Sequence, residues 1–155
     1  MAKSKDIWRK IVVLAVVGGL TFWAISIATS LIPLTADYRV ARWSAETVWV
    51  GSLPAGLVIG FFVSFFLIRY FEKIPTKNSF LKSVILSLIA LAIGTILLEA
   101  PASFRTNDAL YYFLFGTILN VPRFLFVGVV IGYLYQRLYK GSNPAVVAAK
   151  SAQVE

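Results

Sequence analysis

The residue in this sequence that most needs an explanation is Arg123. It lies within the last of four long apolar blocks, with Asn120 three positions earlier and Pro122 beside it. In a helix whose membrane boundary is near Tyr133, Arg123 falls about ten residues, or ~15 Å, from that boundary, close to the bilayer midplane. A guanidinium at that depth costs at least about 2.5–3.5 kcal/mol, so it must face protein or a wet cavity and have partners. Asn120 shares nearly the same helix face. Pro122 has no N–H to donate to the carbonyl of Ile118, which predicts a helix kink and an acceptor left for a side chain, a water or a ligand.

Glu99, near the far end of the third block, is the acidic residue best placed to meet Arg123. The axial offset is roughly 8 Å, most of which an arginine reaching toward its own helix N-terminus can close. Two readings of Arg123, Asn120 and Glu99 compete. In one, a buried ion pair fixes helix packing and does nothing more. In the other, the three residues bind or gate an anionic group.

Other chemistry is scarce. The sequence has no cysteine and no histidine. Thiolate metal sites, disulfides, histidine-ligated metals or haem, Ser-His nucleophiles and histidine relays are thereby excluded. No span holds a pair of carboxylates, no nucleophile stands beside a base, and no glycine loop suits a phosphate. The expectation is a non-enzyme without cofactor or metal.

Four apolar blocks, at about residues 11–32, 47–68, 83–103 and 112–135, must hold these side chains in place. Each approaches the roughly 20 residues that cross a hydrocarbon core about 30 Å thick. Backbone groups in lipid must be satisfied within their own segment, so the blocks are predicted to be helices. The fold class is therefore all-α, an integral membrane four-helix bundle with short connections, spanning residues 1–140 and followed by a flexible tail, 141–155. The hydrophobic fraction of 59% against 14% charged agrees with that class. The first block is too long for the apolar region of a signal peptide and reads as an anchor helix. Ser79 is the expected N-cap of the third helix.

Small and polar residues recur at four-residue spacing along every block. Gly18, Ser26 and Ser30 mark the first; Ser52, Gly56, Gly60 and Ser64 the second; Ser83, Ser87, Thr95 and Glu99 the third; Gly116, Asn120, Gly128 and Gly132 the fourth. Seams of this kind let helix backbones approach closely, with Gly56, Gly60, Gly128 and Gly132 as the packing glycines. A weak repeat accompanies them. Gly56-Leu57-Val58-Ile59-Gly60 follows Pro54, and Gly128-Val129-Val130-Ile131-Gly132 follows Pro122, as two hairpins of like orientation would have it. Pro54 is a second predicted kink.

Basic residues orient the bundle. Lys3, Lys5, Arg9 and Lys10 precede the first block; Arg69, Lys73, Lys77 and Lys82 separate the second from the third; Arg137, Lys140 and Lys150 follow the fourth. The other connections hold only Arg39, Arg42 and Arg105. The positive-inside rule then places both termini in the cytoplasm of a cell-membrane protein. Arg69, Lys73, Lys77 and Lys82 are expected to contact anionic lipid headgroups. The net charge of +8 flanks apolar blocks and does not form a nucleic-acid surface.

The leading functional expectation is a non-catalytic accessory, packing or assembly component, in a homo-oligomer or a larger membrane complex. The alternative is a small transporter or channel handling an anionic solute through Arg123, Asn120 and Glu99.

Overall fold

A lipid-facing segment must close its own backbone hydrogen bonds, and each apolar block does so as helix. The computed structural model describes residues 2–35, 45–70, 76, 78–104 and 107–140, and among them there is no strand. In chain order come α1 (Ala2–Ser30), a 3-10 turn (Pro33–Thr35), α2 (Ala45–Arg69), α3 (Ser79–Gly94), a π-turn (Thr95–Glu99), the short α4 (Ala100–Ser103) and α5 (Ala109–Lys140). Four stretches, Lys5–Ser30, Glu46–Arg69, Ser79–Leu97 and Ala109–Leu138, are long and apolar enough to cross a membrane. Residues 141–155, most of the connection after α2, and Arg39 and Arg42 lie outside the described residues.

The helices run past the apolar blocks at both ends of the chain, where lysine, arginine and glutamine are good helix formers without being apolar. Lys10 adds an i,i+4 ion pair to Asp6, 2.9 Å long. At the start of α3 the cap is Asn78, not Ser79. Asn78 has extended backbone and its Oδ1 accepts from the Phe80 N–H at 3.0 Å, so Ser79 becomes the first helical residue and is buried. Gln136 Nε2 donates to the same Oδ1 at 3.0 Å, tying the end of α5 to the start of α3.

Two hairpins make the bundle, α1 with α2 and α3 with α5, and glycine decides how tightly each closes. A Cβ on Gly60 would stand 2.5 Å from the carbonyl oxygen of Ala15 and 3.0 Å from the nitrogen of Gly19. On the other hairpin, a Cβ on Gly132 would meet the Cα of Phe80 at 3.0 Å and the Cβ of Ser83 at 3.1 Å. Gly56 presses likewise on Gly19 and Phe22, and Gly128 on Ser87 and Val84. The contacts of Gly60 on α1 are all to backbone, which cannot turn aside as a side chain can.

Between the hairpins lies an apolar core of Phe22, Val63, Leu67, Leu91, Phe124, Val127 and Ile131. It is densest toward the end of the bundle that carries the first and last described residues, where Leu14, Leu67, Val127 and Ile131 have no exposed surface. Phe22 and Phe124 meet edge to face with ring centres 5.5 Å apart and form the limit of this core toward the opposite end. α2 and α5 run uninterrupted through Pro54 and Pro122.

Candidate functional site

Beyond the Phe22–Phe124 pair the helices part. A partly open cleft of about 300 Å³ lies there, to which α1, α2, α3, the π-turn and α5 all contribute. Its walls are mainly apolar, and the residues the sequence singles out, Arg123, Asn120 and Glu99, stand on them beside several threonines and serines.

The three form a connected chain. Arg123 Nη1 donates to Asn120 Oδ1 at 2.9 Å, and Asn120 Nδ2 donates to Glu99 Oε1 at 3.0 Å. The carboxamide therefore turns its oxygen to the guanidinium and its nitrogen to the carboxylate, the orientation in which both bonds are charge-assisted. The i,i+3 spacing of Asn120 and Arg123 on α5 makes the first bond local. The second crosses from α5 to the π-turn.

A fourth member comes from α1. Thr29 Oγ1 accepts from Arg123 Nε at 3.2 Å and from Nη2 at 2.9 Å, while donating its own proton to the Ser26 carbonyl at 3.0 Å. One buried hydroxyl thus uses its donor and its acceptor capacity fully. Thr35, in the 3-10 turn, donates back to the Thr29 carbonyl at 3.2 Å and to that of Ile32 at 2.8 Å, folding the turn over this point. Beside it, Trp49 Nε1 of α2 donates to Ser30 Oγ at 3.0 Å, and Trp23 Nε1 donates to the Trp49 carbonyl at 2.9 Å. These two indoles lock α1 to α2 at the level of the cleft.

Glu99 is set by an irregular stretch of helix. Pro101 has no N–H to return to the preceding turn, and just before it the ladder widens, with the Ala100 N–H reaching the Thr95 carbonyl. Single π-turns of this kind occur often at functional sites. Ser103 Oγ donates to the Glu99 carbonyl at 2.8 Å and so supplies an acceptor's partner there. Thr95, at the other end of the π-turn, also lines the cleft, and its buried hydroxyl has no hydrogen-bond partner.

The cleft opens beside α2. Thr47, Gly51 and Ala55, spaced four apart on one edge of that helix, line the cleft and are exposed. Nothing stands within 4 Å of the position a Cβ would take on Gly51, unlike the packed Gly56 and Gly60 one and two turns on.

The remaining residues singled out in the sequence fall elsewhere. Gly56, Gly60, Gly128 and Gly132 are buried in the two hairpin seams. Arg69 is exposed at the end of α2, and Lys73 and Lys77 lie outside the described residues. Lys82, also expected at headgroups, is 4% exposed. Its place beside Ser79 and Ser83, on the buried face of α3, draws its side chain into the bundle.

Thr29 and the two tryptophans are what sequence reasoning missed. Thr29 stands between Ser26 and Ser30 of a seam read as packing, and a threonine in a spanning helix ordinarily bonds its own preceding turn. The available signal was the unmet donor capacity of a mid-span arginine, which requires an acceptor on a neighbouring helix.

No protein-family model, curated protein or solved structure matches the chain.

Proposed function

We propose that this chain is a small multi-pass membrane protein that binds a solute through an anionic group held at Arg123, and that it carries this solute as a small transporter or channel. One observation carries the reading: a guanidinium in the middle of a spanning helix stands on the wall of a cleft together with its amide and carboxylate partners. An intramembrane ionisable group that faces a cavity and has polar partners is a mark of solute and ion paths. The reading requires no catalytic group and no cofactor.

The surrounding architecture supports it. Basic residues flank the bundle end that carries the first and last described residues, which favours a cytoplasmic location for that end and a cleft in the outer half. The motifs Gly56 to Gly60 and Gly128 to Gly132 do the same work in their respective hairpins, as two repeats moving against each other would require. The seams of Gly56 with Gly60 and of Gly128 with Gly132 are occupied within the hairpins, which leaves them no free face for joining subunits.

The test is flux. Full-length protein reconstituted in liposomes is expected to take up or exchange at least one of a set of labelled phosphate- and carboxylate-bearing solutes. Arg123→Met, with Glu99→Gln added to keep the interior neutral, should abolish that flux and leave the fold intact. If no solute in the set binds or moves with the unaltered chain, the reading is wrong.

A further inference from the structure

The cleft holds charges of both signs. Arg123 and Glu99 both line it, one carboxamide apart, with Asn120 bonded to each. The pair sums to zero. A ligand bearing a lone anion would bring an uncompensated charge to a depth where such charges are expensive, and would meet Glu99 as well as Arg123. A ligand bearing an anion and an ammonium a few bonds apart brings no net charge and has a partner for each end. The Thr95 hydroxyl, buried and without a partner on the same wall, adds one polar contact that a ligand's head can complete.

The rest of the cleft is mainly apolar. Phe22, Ile59, Leu91 and Phe124 form the side toward the core, so most of the surface a ligand would touch is hydrocarbon. The volume of about 300 Å³ suits a polar head and part of a chain. The exposed edge of Thr47, Gly51 and Ala55 belongs to a helix apolar enough to cross a membrane, so the opening lies along the flank of a span.

We infer that the cleft takes a zwitterionic amphiphile, with its anionic group at Arg123, its ammonium at Glu99 and its apolar part against Phe22, Ile59 and Leu91. This rests on the cleft being a solute site, as proposed above. The chemistry is shared by a zwitterionic phospholipid entering from the bilayer and by a soluble zwitterion of the same head.

Full-length protein in a nonionic detergent, titrated by calorimetry, separates these cases. The probes are dihexanoyl phosphatidylethanolamine, dihexanoyl phosphatidylglycerol with the same chains and an anionic head, and glycerophosphoethanolamine, which keeps the zwitterion and lacks the chains. The ethanolamine lipid should bind at least about tenfold more tightly than the glycerol lipid, the size of one charge-assisted hydrogen bond. Glu99→Gln should erase that preference by weakening the ethanolamine lipid alone. Gly51→Leu fills the opening at a position where a side chain meets nothing, so it should weaken the ethanolamine lipid without touching the charged groups, and it keeps the test sound if Glu99→Gln folds poorly. Glycerophosphoethanolamine binding as tightly as the lipid would overturn the amphiphile and make the ligand a soluble zwitterion. Tighter binding of the glycerol lipid, unchanged in Glu99→Gln, would overturn the zwitterion yet leave a site for anions. Heat from no probe at all would overturn the inference, while the flux measurement decides separately whether the cleft is a solute site.

Discussion

The two halves of this bundle are built from the same four helices and treat polar atoms in opposite ways. Toward the chain termini, backbones meet through glycine and serine. Ser64 and Ser83 are buried there without hydrogen-bond partners, kept small so that helices can touch. Toward the other end the helices separate, and polar side chains from α1, α5 and the π-turn are bonded into one chain around a cleft. Ser64 and Ser83 of the first region serve by their small size, whereas Thr29, Asn120, Arg123 and Glu99 of the second are joined by their bonds. Residue type alone therefore says little about role in a membrane interior; what matters is whether the backbone beside it is close or distant.

Substitutions should divide along the same line. The largest effect is expected from Gly60→Leu, whose new atoms collide with the backbone of Ala15 and Gly19. Overpacking against backbone should cost about 3 kcal/mol or more, and SDS-titrated unfolding in mixed micelles would report it. A tolerated leucine there would break the claim that the hairpin is closed backbone to backbone. Arg123→Met comes next, at about 2–3 kcal/mol, less than the loss of one partner from a fully buried pair because Arg123 and Glu99 are half-buried. Adding Glu99→Gln should recover most of that loss in the same titration, since it removes the stranded charge. Asn78→Ala should cost about 1 kcal/mol by removing the cap of α3. Gly51→Leu, at the cleft opening, should leave stability within about 0.5 kcal/mol of the unaltered chain. A large loss at Gly51 would mean that the cleft edge is packed after all.

Much of this was legible in the sequence. Apolar length identified the four helices, because lipid permits no other solution for such blocks. Four-residue spacing picked out seam residues, and the described ones are buried or half-buried. The proximity of Asn120 to Arg123 followed from their spacing on one face. What remained hidden depends on the relative rotation and depth of helices distant in sequence. Thr29 as the acceptor for Arg123 and Trp49 as the donor to Ser30 are such cases. The burial of Lys82 is another, since it depends on how the neighbouring helix is placed against α3. Asn78 as the cap was a choice between adjacent residues that both suit the role, settled by backbone conformation.

The bond between Thr29 and Arg123 spans 94 positions and joins the first helix to the last. Because the chain is synthesised from its N-terminus, the acceptor for the guanidinium is made and inserted well before the guanidinium itself. One side chain thus ties the placement of α5 to that of α1, the two helices farthest apart in the chain.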